Sequence, residues 1–241
     1  MVEEVGERPE EMARRLLERG RRRLAVAGDD RSLREVAEVV ARSGHEVVVA
    51  VIPGPRGCDL LRTFAIPQNP VDALAHLRTD DVYEVDLVWV EGGFGRKIMV
   101  NAAYLGGWAL AEERRWKRPR PRRTNRPIDS RYLFEVDAGR RRRSVSGSGA
   151  VVANGQYACG GLHWAPKAAL MDRRFEVQVT SEPVDAEVLA KGLHLRDVLR
   201  LTASELLIST APPAPVAIDG VLVGNTPISM GINSTPLRLK I

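Results

Sequence analysis

The chain opens on a helical spacing. In "PEEMARRLLERG", Met12, Leu16 and Leu17 recur at helical intervals, Pro9 stands near the start and Gly20 closes the segment. "RRLAVAG" follows as an apolar run of strand length. "SLREVAEVVARSG" returns to the helical period, with Ser32 as the expected N-cap and Glu35 in the capping-box position. "HEVVVAVIP" reads as the next strand, "CDLLRTFA" as a short helix closed by Ile66-Pro67, and "PVDALAHLRTD" as another helix. Helix and strand alternate to about residue 78, the order that builds a parallel α/β sheet.

From Asp81 onward the pattern turns to short strands between turn signals. "VYEVDLVWVEGGFGRKIMVNAAYLG" reads as two strands around a Gly-rich hairpin turn. "RYLFEVDA", "GAVVANGQ", "RFEVQVTSE", "ELLISTA", "PVAIDGVLV" and "PLRLKI" follow as strands, with one helix expected at "DAEVLAKGLHLRDVLR". The expectation is an α/β domain over residues 1–80 and an antiparallel β-sandwich domain over 81–241.

Composition narrows the class. A hydrophobic fraction of 44% supports a real core, and 5% aromatic residues make it one of Val, Leu, Ala and Ile. Cys58 and Cys159 form no metal-ligand spacing, which points to a reducing compartment. The four histidines are scattered, against a zinc site. The N-terminus is too charged for a signal peptide and no apolar run reaches membrane-spanning length, so a cytoplasmic protein is expected.

The net charge of +5 is concentrated. "RRWKRPRPRRTNRP" (Arg114–Pro127) and "GRRRRS" (Gly139–Ser144) mark an arginine-rich insert at 114–143. Such runs suit the phosphates of nucleic acids or anionic lipid head groups; the alternative is a solvated surface insert. "EGGFGRK" (Glu91–Lys97) lacks the Gly-Lys-Ser/Thr of a phosphate loop and is read as a hairpin turn.

Residue order within these segments resembles the diacylglycerol kinase catalytic family, which groups bacterial lipid kinases with sphingosine kinases. "VVANGQYACGGLHWAPKAALMD" (Val151–Asp172) parallels the family's strand, Asn-Gly, aromatic, Gly-rich turn and "APxAxxxD". "CDLLRTFAIPQNPVDALAHL" is similar to "NDxARxLGIPxDxxxAL", and "VYEVDLVWVEGGFGRKIMVNAAYLG" to "xxxVDLGxVNGxxFxNxAxxG". "APVAIDGVLVGNTPISMGINSTPLRLKI" resembles the family's closing "DGE" segment. The matches keep the family's order over most of the chain. They imply an NAD-kinase and diacylglycerol-kinase-like α/β domain followed by a β-sandwich. The family's opening strand and Asn-Pro-x-x-Gly turn have no counterpart before the first helix.

The resemblance also implies roles. "GDDRS" stands where the family has "GGDGT", so Gly28 and Ser32 are expected at nucleotide phosphates and Asp30 at the proton of the attacking lipid hydroxyl. Asp29 and Arg31 replace glycines that let backbone approach phosphate. "PGPRGCD" stands for "PxGTGND", which assigns Gly57 and Asp59 to the nucleotide while Cys58 replaces the amide. Asp219 of "IDG" is a second catalytic candidate, with Val221 at the family's glutamate position. "LMDRRFE" stands for an acidic Mg²⁺ turn and offers Asp172 and Glu176, although Arg173 opposes a cation.

These readings imply ATP and Mg²⁺ as cofactors, and a lipid such as diacylglycerol as substrate. The other implied partners are an anionic membrane surface and a second copy of the chain, since dimers are common in the family. The implied activity is ATP-dependent phosphorylation of a lipid hydroxyl by a protein peripheral at the membrane. The departures leave open a non-catalytic relative that binds anionic lipid or nucleotide. A basic nucleic-acid binder ranks third, because Trp116 is the sole aromatic among the arginines and no nucleic-acid motif is present.

Overall fold

The structure is a computed structural model that describes residues 7–117, 128, 130–181 and 197–241. Its first segment runs α1 (Pro9–Glu18), β1 (Arg23–Gly28), α2 (Asp30–Ser43), β2 (Val48–Pro53), α3 (Asp59–Thr63) and α4 (Pro70–His76). Then come β3 (Val82–Val85), β4 (Val88–Gly92), β5 (Gly95–Met99), β6 (Ala102–Gly106) and α5 (Gly107–Lys117). β7 (Tyr132–Asp137), β8 (Arg142–Gly147) and β9 (Gly149–Ala153) precede a two-residue pair, β10 (Tyr157–Ala158) and β11 (Leu162–His163). The chain continues through β12 (Phe175–Thr180), β13 (Asp197–Ala203), β14 (Glu205–Ala211) and β15 (Pro215–Ile218). It closes with β16 (Val221–Asn225), β17 (Ile228–Ile232) and β18 (Leu237–Lys240).

The first sheet has the order β1-β2-β18-β3. β1, β2 and β18 are parallel and β3 is an antiparallel edge, so the expected parallel sheet is a mixed one. The strand at "PLRLKI" was expected in the antiparallel half, yet β18 pairs with β2 in the α/β sheet. Leu237 and Leu239 are fully buried there, with Leu239 in register with buried Val49 of β2. α2 packs with Leu33, Val36, Ala37 and Val40, the i, i+3, i+4, i+7 stripe that its sequence announces.

Two six-stranded antiparallel sheets form the second domain, β13-β12-β9-β6-β15-β16 and β5-β4-β17-β14-β7-β8. Alternation places Phe134 and Val136 of β7 and Val177 and Val179 of β12 in one core. Each such fully buried side chain contributes about 1.5–3 kcal/mol. The expected hairpin at Glu91–Lys97 is present, closing at Gly92 and Gly95.

The segment expected as two strands around a hairpin turn holds four, β3 to β6, and two further elements differ from expectation. Of the helix expected at "DAEVLAKGLHLRDVLR", residues 197–200 belong to β13, whose Leu199 and Arg200 pair with Val179 and Gln178 of β12. The remainder lies outside the described residues. Helix α5 was not foreseen; it fills the outer side of β6 and β9 with Trp108, Ala109 and Ala111, and the Trp108 indole donates to Thr180 Oγ1 at 2.9 Å. Of the arginine-rich insert, Arg114–Lys117 end α5, residues 118–127 and 129 lie outside the described residues, and Gly139–Ser144 turn the β7–β8 hairpin.

Candidate functional site

β1 and β2 end side by side, with Gly28 in register with Pro53, and the turns that follow them meet. Gly54 N–H donates to the Gly28 carbonyl at 2.7 Å, and a Cβ on Gly54 would stand 3.2 Å from Gly28 Cα. Gly54 lies backbone against backbone with Gly28, and a Cβ on Gly28 would meet the Ser32 side chain. The carboxyl ends of parallel strands are where α/β sheets place their ligands.

The capping of α2 differs from expectation. Asp29, in extended conformation, is the N-cap, and its Oδ1 accepts from Ser32 N–H at 3.1 Å and Ser32 Oγ at 3.3 Å. Ser32 is therefore the third residue of the helix, with its hydroxyl spent on Asp29, and its side chain crowds Gly28. Arg31 points along the helix to Glu35 at 3.3 Å rather than into the turn.

Asp30 is the first residue of α2, and its carboxylate caps α3. Oδ1 accepts from Leu60 N–H at 3.0 Å and Cys58 Sγ at 3.1 Å; Oδ2 accepts from Asp59 N–H at 3.0 Å and Asn101 Nδ2 at 3.5 Å. Burial raises its pKa to about 8, helped by the carboxylates of Asp59 and Asp219 and opposed by the Leu60 and Cys58 bonds. Cys58 is buried, and burial together with Asp30 pushes its thiol pKa up, so it serves as a donor and not as a thiolate.

Asp59 is 5% exposed and receives Gly160 N–H at 2.7 Å and Arg62 Nε at 3.1 Å. Gly57, also buried, holds φ +75° and lies against Gln68, whose Oε1 accepts Cys58 N–H at 2.8 Å.

Asp219 arrives from the sandwich at the β15–β16 turn, where φ is +45° and that of Gly220 is +83°. Positive φ at both central residues is the turn that suits a right-twisted hairpin, and it explains the Asp-Gly pair. The Asp219 carboxylate accepts the N–H groups of Val100, Asn101 and Ala102 at 2.9, 3.0 and 2.9 Å. Burial raises its pKa to about 6, while those N–H bonds and the Arg34 charge pull it back.

Asn101 joins the two aspartates. Its backbone N–H binds Asp219, while its Nδ2 donates to the Tyr157 carbonyl at 3.0 Å and reaches Asp30 at 3.5 Å. It is 1% exposed, and its Oδ1 has no hydrogen-bond partner. Sequence reading passed over Asn101, although it is the asparagine of the "NxAxxG" segment. At the mouth, the Arg56 guanidinium stacks on Trp116 at 4.5 Å, and Trp116 Nε1 donates to buried Glu112 at 3.0 Å. Arg115 also pairs with Glu112. The cleft enclosed by Asp30, Asp59, Gly57, Gly160, Arg56 and Trp116 holds about 10 Å³, room for one water.

The expected Mg²⁺ turn is not assembled. Asp172 Oδ1 accepts Arg174 N–H at 3.0 Å, and Glu176 accepts Thr202 Oγ1 at 2.8 Å on the neighbouring strand. The buried acid of that region, Asp86, is met by Arg173 through its N–H at 2.6 Å and its guanidinium at 3.5 Å. An arginine supplies the positive charge a cation would bring, and among the described residues no three His, Cys, Asp or Glu side chains are grouped to hold a metal. The residues present do not fit Mg²⁺ at Asp172 and Glu176.

The sequence profile of the diacylglycerol kinase catalytic domain matches residues 2–90. "Probable lipid kinase YegS-like" of Pseudomonas aeruginosa (strain ATCC 15692) is 32% identical over 260 residues, covering 95% of this chain and 81% of that protein. The protein of the same name from Alcanivorax borkumensis is 25% identical, covering 96% and 83%. In fold, the chain is similar to the crystal structure of a diacylglycerol kinase from Bacillus anthracis str. Sterne, with a TM-score of 0.73 at 17% identity, covering 99% of this chain and 82% of that one. Among the described residues no helix is long and apolar enough to cross a membrane.

Proposed function

The chain belongs to the diacylglycerol kinase family of lipid kinases, and on that premise we propose that it phosphorylates the hydroxyl of diacylglycerol or a related lipid. The observation that carries this reading is the buried Asp30, set among Asp59, Asn101 and Asp219 where the two domains meet. A carboxylate whose pKa is raised to about 8 is a competent proton acceptor near neutral pH, and perturbed acids cluster at functional sites. Asp30 takes the proton of the lipid hydroxyl. Asp59 holds the Gly160 turn, and Asp219 holds the turn that carries Asn101, so both act as positioning residues. ATP supplies the phosphoryl group.

The lipid is taken from an anionic surface. The β7–β8 turn supports this, since exposed Arg140 and Arg141 stand at its tip and neither has a carboxylate partner among the described residues.

A second reading, a non-catalytic family member, is favoured by one observation. Asp29 takes the Ser32 N–H of α2, Asp30 takes the Asp59 and Leu60 N–H groups that open α3, and the cleft between them is closed to about 10 Å³. Phosphotransfer from ATP with Mg²⁺ in mixed micelles containing diacylglycerol decides between the two. Lipid phosphate formed by the wild type and lost in Asp30→Asn is expected; no turnover beyond Asp30→Asn background supports the non-catalytic reading.

A further inference from the structure

Strand–turn–helix junctions cradle phosphate with free backbone N–H groups, and here much of that backbone is occupied. Gly54 N–H is bonded to Gly28, Gly57 N–H to Gly54, and Cys58 N–H to Gln68. Asp59 and Leu60 N–H groups go to Asp30, and Pro55 has none to give. On the facing turn, Ser32 N–H goes to Asp29. A phosphate arriving at this strand–turn–helix junction finds these donors taken.

Among the described residues the cations around the cleft are occupied as well, with one exception. Arg31 pairs with Glu35, Arg34 with Glu38, Arg62 with Asp59 and Arg115 with Glu112. Arg56, on the β2–α3 loop, is exposed and has no carboxylate partner among the described residues. Its guanidinium face lies 4.5 Å from the Trp116 ring, and Trp116 is itself fixed by its bond to Glu112. Stacking occupies the face of a guanidinium and leaves its edge of N–H donors free, the edge that grips phosphate bidentately.

We infer that Arg56, held by Trp116, is the phosphate-binding residue at the mouth of this cleft and takes a nucleotide's polyphosphate in place of the missing backbone donors. The inference rests on the kinase reading for its ligand, and its test reads binding rather than turnover. Trp116 acts through Arg56 as a positioning residue that holds the fork in one orientation, lowering the entropy lost on binding. It also bridges the cleft from the sandwich to Arg56 of the first domain, and its indole fits only because position 220 is glycine.

The test is calorimetric titration of the full chain with ATP and, separately, with inorganic tripolyphosphate. Arg56→Ala is expected to weaken both by about tenfold or more, as loss of a charge-assisted bidentate contact does. Arg56→Lys keeps the charge and loses the fork, so it recovers only part of the affinity. Trp116→Leu is expected to weaken both ligands less than Arg56→Ala. Arg96→Ala is the control: Arg96 stacks on Trp89 at 4.6 Å far along the sheet, and its loss should leave affinity unchanged. Thermal melts of each variant confirm that the fold survives. Affinity unaltered in Arg56→Ala overturns the inference, as does a wild type that binds neither ligand. Arg56-dependent binding of tripolyphosphate without ATP overturns the nucleotide as its source. Absent lipid phosphorylation with Arg56-dependent ATP binding sinks the kinase reading and leaves this one standing.

Discussion

The turns at Asp30 and Asp219 pose the same physical problem and solve it differently. Each buries a carboxylate near the junction of the two domains. Asp219 receives three backbone N–H groups from one tight turn, and its pKa rises only to about 6. Asp30 receives two N–H groups, a thiol and a distant amide, stands near two further carboxylates, and rises to about 8. Fixed dipoles keep the first an anion that staples structure. The second is balanced closer to taking a proton, because burial is reinforced there by the charges of Asp59 and Asp219.

The sharpest way to break the comparison is to remove each charge in turn. Asp30→Asn is expected to lower lipid phosphorylation by about 10²–10⁴-fold while the folded protein persists, the usual worth of a general base. Asp219→Ala should instead unfold the protein more readily, by about 3 kcal/mol, since three buried N–H groups lose their acceptor. Denaturant titration measures the second effect, and equal losses of stability in both variants would erase the distinction.

Titration sharpens it further. A base with its pKa raised to about 8 gives turnover that climbs with pH up to about 8 and then levels, visible in a pH–rate profile. Stability has the opposite sign. The raised pKa favours the protonated folded form, so Asp30's contribution is full below its unfolded pKa of about 4 and is lost as pH rises through about 8. The melting temperature of wild type relative to Asp30→Asn should therefore fall between those limits. A difference that stays flat with pH removes Asp30 as the titrating group. Among the smallest effects, Cys58→Ser keeps a donor to Asp30 and should cost less stability than Cys58→Ala, with thermal melts as the measure.

The same contrast explains what could be read from sequence. The α2 stripe and the β1 and β2 runs were legible because period and burial coincide in them. Asp30, Asp59, Gly57 and Asp219 could be named because the resemblance to the diacylglycerol kinase family carries over position by position at those turns. Ser32 was misplaced as N-cap because two acceptors competed and the stronger, Asp29, stood one turn earlier. Helix α5 escaped because Trp108, Ala109, Leu110 and Ala111 are contiguous and show no helical stripe. Asn101, Arg56 and Trp116 matter through contacts between distant segments, which no local pattern encodes. At the metal turn the opposing Arg173 was legible in the sequence, whereas its contact with Asp86 was not, because that contact joins distant segments.

The place of β18 in the first sheet sets an order of events during synthesis. β2 pairs with Arg238–Lys240 on one side, so its edge stays open until those residues have emerged from the ribosome. β3 contacts the sheet only through β18 and waits with it. The α/β half begins to form first and is sealed last, by a strand that must travel back after the sandwich has been made. A ribosome stalled before residue 237 would present an unsealed β2, a surface that a holdase chaperone could grip and a protease could find.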